Sequence, residues 1–308
     1  MTRAAQIYPQ GRLTLREVGL RDGLQMVEVW PDTTAKRDWV TREHAAGVRH
    51  FEVGSFLPAS RFPQFADVAE LAQTIGTLPG AHSIALALNE RGVHDALQAG
   101  VHEIALVVSA TQAHSQANQR RSQDDAVALI RMADRARAAD GPLISVGIAM
   151  AFGCSISGTV LPHDVLDLVE SCLEAGADVI GLADTVGFAG PDAVGALTAQ
   201  ARALCGPVPL CIHLHDTRGL GIANASAALD AGCQVLDGSL GGLGGCPFAP
   251  GATGNVVLED LAFLAQTKGV DTGIDLEKLI AVRDVLKSAM PNEQLFGAVA
   301  RAGPIPTM

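Results

Sequence analysis

Short β-branched or apolar runs recur along the chain, each followed by a longer alanine- and leucine-rich stretch whose apolar positions repeat at helical spacing. The runs occupy residues 13–18, 48–53, 83–88, 103–109, 143–149, 178–183, 209–215 and 234–239. Helices are predicted over 32–46, 65–77, 90–99, 123–139, 162–175, 191–204, 219–231 and 255–267. Strands alternating with helices predict a parallel β/α protein, and eight units in about 250 residues fit a (β/α)8 TIM barrel. Several helices close on an Ala-Gly step, as at Ala46-Gly47, Ala99-Gly100, Ala175-Gly176 and Ala231-Gly232, where glycine enters the left-handed region that ends a helix. A doubly wound open sheet is the alternative, but no GxGxxG follows the first run and the count of eight favours closure. One domain over residues 1–308 is predicted, with the barrel at about 12–270 and a further helix at 275–289 leading into a glycine- and proline-bearing tail from 297.

Composition narrows the function classes. Apolar residues make up 48% of the chain and charged residues 18%, enough to bury a large core. The formal charge of −11 argues against a nucleic-acid partner. Six cysteines, Cys154, Cys172, Cys205, Cys211, Cys233 and Cys246, show neither CxxC spacing nor the density of a disulfide scaffold, which fits reduced thiols in the cytoplasm. No apolar run reaches the roughly 18 residues of a membrane span, and the first residues lack the apolar core of a signal peptide, so no membrane partner is expected. The outer helices of such a barrel offer surfaces for a homodimer.

In a barrel of this kind the chemistry gathers where the strands end. The seventh run exposes His213-x-His215-Asp216, and period-two spacing sends both imidazoles to one face, as two metal ligands require. Oxygens from Asp22, just past the first strand, and from Asn255 would complete a mixed N/O set suited to Mg²⁺ or Mn²⁺. Arg21 and Asp22 sit together at the mouth, where a plain surface ion pair is the competing reading. Glu52 interrupts an apolar run and needs a partner: a neighbouring arginine, a ligand or the substrate. The polar stretch 114–122, with Asn118, Arg120 and Arg121, is read as a loop, either solvated or facing an anionic substrate. Cys154 is read as a buried inert thiol, and Asp184 as support for a ligand in preference to a turn cap. After the eighth strand, Gly241-Gly242-Leu243-Gly244-Gly245-Cys246-Pro247 presents Cys246 on a backbone that can approach closely, which favours a reactive thiol. Asn255 and Glu259, four apart at the predicted start of a helix, would share a face.

Taken together, Glu17-Val-Gly-Leu-Arg21-Asp22-Gly-Leu-Gln25, Phe56 with Pro63-Gln64, Asp184-Thr-Val-Gly187, His213-Leu-His215-Asp216-Thr, Gly242-Leu-Gly-Gly-Cys246-Pro, Gly254-Asn255 and Glu259-Asp260 resemble the 3-hydroxy-3-methylglutaryl-CoA lyase family, metal-dependent lyase barrels related to isopropylmalate synthase. The resemblance covers nearly the whole chain, and its specific part is the Gly-Leu-Gly-Gly-Cys-Pro loop. It implies cleavage of 3-hydroxy-3-methylglutaryl-CoA, or a related 3-hydroxy-3-alkyl acyl-CoA, to acetyl-CoA and a 3-oxo acid such as acetoacetate. It further implies Asp22, His213, His215 and Asn255 as ligands of a divalent cation, with Arg21, Asp22, His213 and Cys246 catalytic. Gln25, Glu52, Asn118, Asp184 and Glu259 would contact substrate or support those groups. An acetyl-CoA-condensing synthase of the isopropylmalate synthase type and a non-catalytic acyl-CoA-binding protein are the competing readings. The chain departs from the family pattern at Gln112, His114 and Arg120, near Ser60-Arg61, and in the turn Gly153-Cys154-Ser155-Ile156-Ser157-Gly158, places that should shape the acyl pocket.

Overall fold

The computed structural model describes residues 2–244 and 254–303. Eight parallel strands close in chain order: β1 (Thr14–Glu17), β2 (His50–Ser55), β3 (His82–Leu86), β4 (Glu103–Ser109), β5 (Leu143–Ala149), β6 (Val179–Asp184), β7 (Leu210–Leu214) and β8 (Val235–Gly238). β1 completes the ring by pairing with β8, Leu15 opposite Leu236 and Glu17 opposite Gly238. A short helix α1 (Arg3–Ile7) precedes β1. The strands alternate with α2 (Thr33–Ala45), α3 (Val68–Gly76), α4 (Glu90–Ala99), the pair α5 (Gln112–Gln119) and α6 (Gln123–Ala136), α7 (Pro162–Glu174), α8 (Pro191–Cys205), α9 (Gly221–Asp230) and α10 (Leu258–Thr267). α11 (Leu276–Ala289) and α12 (Ala298–Ala302) follow, and the Asp275 amide at the head of α11 donates to the Ala46 carbonyl at the end of α2 (2.7 Å). Among the described residues no helix is long and apolar enough to cross a membrane.

Strand alternation divides the interior in two. Ile104, Leu106 and Val108 of β4, and Ile144, Val146 and Ile148 of β5, share one face at period two and pack in the main apolar core between sheet and helices. The opposite face looks into the lumen and carries charged residues among small and apolar ones. There Arg16 of β1 reaches across to Glu103 of β4 and Asp237 of β8. At the end where the strands begin, a small apolar plug of Ala4, Tyr8, Leu143, Val179, Cys211 and Val235 closes the barrel.

The predicted boundaries of β4, β5 and α4 coincide with those observed. Four features depart from expectation. α1 was not anticipated; it is five residues long, too short to show a period, and is held by Thr2, whose Oγ1 accepts from the Ala5 amide at 3.2 Å. The stretch read as a loop over 114–122 contains most of α5, whose Gln, Asn and His content hides the apolar stripe by which a helix is recognised. Its boundaries are set locally, by the Thr111 cap at its start (His114 N–H to Oγ1, 3.3 Å) and a left-handed Arg120 at its end (φ 55°). The helix expected from residue 255 begins instead at Leu258, and α12 lies in the expected tail.

Candidate metal centre and active site

β7 delivers His213 and His215 to the mouth side by side, their Nε2 atoms 3.1 Å apart. Opposite them the chain turns sharply after β1. The amides of Arg21 and Asp22 both donate to the Val18 carbonyl, at 3.1 and 2.7 Å, which folds Asp22 back over the opening. One Asp22 oxygen then lies 3.6 Å from His215 Nε2, and ligand atoms of Asp22, His213 and His215 all fall within 4.8 Å of one another.

Asn255 arrives by a route the sequence did not disclose. Residues 254–257 run extended between the ends of β7 and β8: Asp216 N–H donates to the Gly254 carbonyl at 2.8 Å and Ser239 N–H to the Val256 carbonyl at 3.0 Å. This bridges Asn255 to His215. The Asn255 amide nitrogen donates to Asp22 Oδ2 (2.8 Å) and to the Leu243 carbonyl (3.2 Å), while its Oδ1 is buried without a partner. Gly244 closes against the same group. At φ 113°, a Cβ there would stand 2.7 Å from Asn255 Nδ2 and 3.1 Å from the Gly23 Cα, so only glycine lets the loop root pass. Cys246, further along this loop, lies outside the described residues.

Arg21 is held from three directions. Its Nε forms an ion pair with Glu52 (2.8 Å), and its NH1 donates to Asp22 Oδ1 (2.5 Å) and to Gln25 Oε1 (3.4 Å). Gln64 secures the turn from outside by donating to the Leu24 and Gln25 carbonyls. Burial alone would raise the Asp22 pKa, but Arg21 and the two imidazoles hold the carboxyl well below its usual range. Glu52 stays above the ordinary carboxyl value because burial outweighs its arginine.

A cation fits this arrangement better than the free side chains do. Two imidazole nitrogens that face each other at 3.1 Å can share at most one proton between them. The amide oxygen beside them has no donor. Two nitrogens, a carboxylate and an amide oxygen, with no thiolate among the described residues, form a donor set for a hard or borderline divalent ion.

The remaining candidates sit elsewhere. Asp184 caps the turn after β6, the alternative to the expected support of a ligand: its two oxygens accept from the Phe188 and Ala189 amides at 2.8 and 3.1 Å. Glu259 does not share a helix face with Asn255, because Asn255 precedes the helix. It is fully buried, bonded to Arg283 (2.6 Å) and to the Gly241 amide (3.0 Å), and so anchors the root of the glycine-rich loop. Asn118 is exposed on α5. Cys154 is buried as expected, and its sulfur accepts from the amides of Ile156 and Ser157 (both 3.4 Å) and contacts the Thr111 hydroxyl (3.2 Å). Burial works to raise its pKa, but these bonds outweigh it and hold the thiol below its ordinary value. The support that sequence reasoning sought in Asp184 is supplied by Asp237, whose Oδ2 lies 3.1 Å from His213 Nδ1. Strand register was the available signal, since pairing Cys211 with Val235 sets His213 opposite Asp237 two residues on.

The HMGL-like family model matches residues 12–286. The chain belongs to the HMGL-like family. It is 39% identical over 273 residues to a hydroxymethylglutaryl-CoA lyase of Pseudomonas mevalonii, covering 86% of this chain and 88% of that one. It is also 37% identical over 306 residues to an (R)-citramalyl-CoA lyase of Chloroflexus aurantiacus, covering 95% of each. Among solved structures, an HMG-CoA lyase of Acinetobacter baumannii in complex with coenzyme A and 3-methylmalate superposes with a TM-score of 0.88 at 34% identity, over 99% of this chain and all of the other. The enzyme class of the chain is accordingly that of the carbon–carbon lyases.

Proposed function

We propose that this HMGL-like chain is a divalent-metal-dependent lyase acting on 3-hydroxy-3-methylglutaryl-CoA or a related 3-hydroxy-3-alkyl acyl-CoA, with Mg²⁺ or Mn²⁺ held by Asp22, His213, His215 and Asn255. The observation that carries this reading is the convergence of three ligand atoms within 4.8 Å beside an unpartnered amide oxygen, at the mouth of a barrel of this family. A bound divalent cation supplies Lewis acidity that lowers the pKa of a substrate hydroxyl.

The chain's own groups account for the rest of the chemistry. The C3 hydroxyl gives up its proton to the Asp22 carboxylate, C3 becomes a carbonyl, and the electrons of the C2–C3 bond pass to C2 and onto the thioester oxygen. Arg21, fixed by Glu52 and Gln25, donates to that oxygen as charge develops on it. Cys246, in the loop whose root is pinned by Glu259 and Asn255, returns a proton to C2 and completes acetyl-CoA. Glu52 and Gln25 thus serve by orienting Arg21.

The similarity to a citramalyl-CoA lyase favours a second substrate of the same chemistry. In citramalyl-CoA the carboxylate sits directly on C3, and cleavage yields a 2-oxo acid in place of a 3-oxo acid. Acetyl-CoA release by the purified protein from the two thioesters, each with Mg²⁺ or Mn²⁺ and with chelator, tests both. Metal-dependent release from one or both is expected. No release from either, nor from homologous 3-hydroxy-3-alkyl thioesters, would leave a binding protein, and consumption of acetyl-CoA with a 2-oxo acid would reveal a synthase.

A further inference from the structure

Behind the metal centre, a buried polar chain crosses the lumen to the closed end of the barrel. Asp237 of β8 stands at its middle. Its Oδ2 faces His213 Nδ1 at 3.1 Å and Arg16 NH2 at 3.0 Å, and its Oδ1 accepts from Arg16 Nε at 2.6 Å and from the Cys211 thiol at 3.3 Å. A carboxylate offers about four acceptor directions, and here each is taken. Arg16 continues the chain: its NH1 donates to Glu103 Oε1 at 3.2 Å, and Glu103 Oε2 accepts from the Tyr8 hydroxyl at 2.7 Å and meets His82 Nε2 at 3.1 Å. Side-chain exposure is 12% for Arg16, 7% for Asp237 and 0% for Glu103.

We infer that Asp237 and Arg16 are positioning residues for the metal centre, acting through His213. The inference rests on the assignment of His213 as a metal ligand. An imidazole that gives Nε2 to a cation must carry its proton on Nδ1, and a carboxylate at Nδ1 both selects that tautomer and fixes the plane of the ring. Asp237 can do this only while it is itself held. The guanidinium fork of Arg16 grips both its oxygens, and Glu103 grips the far side of the fork. Rotating His213 out of line would therefore break a bond in a network where each acceptor direction of Asp237 is already taken. Arg16 makes no hydrogen bond to His213; besides Asp237 and Glu103 it donates to Cys211 Sγ on β7 (3.1 Å), and its hold on the His213 ring runs through Asp237.

The arrangement predicts which substitutions change metal affinity and which change only stability. Mn²⁺ binding to the full chain, followed by the electron paramagnetic resonance of the free ion, is the readout. Asp237→Asn replaces an acceptor oxygen by a donor, and its Mn²⁺ Kd should rise by about ten- to a hundredfold. Arg16→Met should approach the same loss, whereas Arg16→Lys, which keeps the buried charge but not the fork, should lose only several-fold. Tyr8→Phe removes a bond two links further on; it should lower Tm and leave the Mn²⁺ Kd within about twofold of the unsubstituted chain. If Asp237→Asn does not fold, Arg16→Lys carries the test. Folded variants at Asp237 or Arg16 whose Kd stays within about twofold would overturn the positioning role. A Kd that worsens equally in Tyr8→Phe would reduce it to general destabilisation. Failure of the unsubstituted chain to bind Mn²⁺ at all would instead overturn the metal assignment, and this inference with it.

Discussion

The two ends of the barrel use the same kinds of side chain to opposite ends. At the closed end Tyr8, His82 and Arg16 converge on Glu103, and each donor meets an acceptor. At the mouth His213, His215, Asp22, Asn255 and Arg21 also converge, but there two imidazole nitrogens face each other and an amide oxygen is left buried and bare. Residue type and burial do not separate a structural cluster from a chemical one here. Between these two clusters the bonding does: both oxygens of Glu103 receive donors, whereas the Asn255 oxygen is buried without one, a cost that a bound cation would offset.

Disabling the mouth should cost most. A divalent cation at such a site stabilises the transition state by several kcal/mol, so His215→Ala should lower kcat/KM for the cleaved thioester by about 10³-fold or more, with little change in Tm. Arg21→Lys keeps the charge but abandons the contacts to Glu52, Asp22 and Gln25 that aim it, and kcat should fall by about a hundredfold with KM little changed. Steady-state kinetics at saturating metal checks both, and a KM effect alone would move Arg21 from stabilising charge to binding substrate.

The closed end should answer in stability. Tyr8→Phe deprives Glu103 of one donor and should cost about 1–3 kcal/mol, a Tm lowered by a few degrees in calorimetry with turnover preserved at lower temperature. Loss of turnover in proportion would blur the contrast between the ends. His50, whose ring lies 4.9 Å from Tyr8, gives a smaller, pH-dependent signal. Burial, with His82 adding to it, pushes its pKa from 6.5 down to about 3. Between those values the unfolded chain takes up a proton that the folded chain refuses, so the stability His50 contributes is full above the unfolded pKa and is lost as pH falls through the window. His50→Gln removes the titration. In urea unfolding, the stability of the unsubstituted chain relative to this variant should therefore decline as pH is lowered from about 7 to about 4.5, and a flat difference would contradict the half-buried neutral imidazole.

How much of this was legible in the sequence depended on how local the signal was. The barrel follows from two periods repeated eight times, and His213 and His215 reveal themselves by spacing alone. Asp22 follows from its place just past a strand. Asp237 was hidden because its role exists only once β7 and β8 are in register. The segment 254–257 was hidden because an extended strand-like passage bonded on both sides leaves no pattern in four residues, and Asn255-Val256-Val257 leading into Leu258 reads equally as a helix start. α5 escaped because its boundaries are written in caps and its faces are both polar. Asp184 was ambiguous for a related reason: a carboxylate at a strand end can serve a ligand or the next two amides, and here both of its oxygens engage the turn.

The claim that the mouth is a metal site left unmatched by the protein alone is tested most directly by an equilibrium Mn²⁺ titration of the unsubstituted chain beside the His213→Ala/His215→Ala double variant. One tight ion per chain, displaced by excess Mg²⁺ and lost in the double variant while its near-ultraviolet circular dichroism stays native, is the predicted result. An unsubstituted chain that binds no Mn²⁺, or a folded double variant that binds it with the same stoichiometry and affinity, would contradict it.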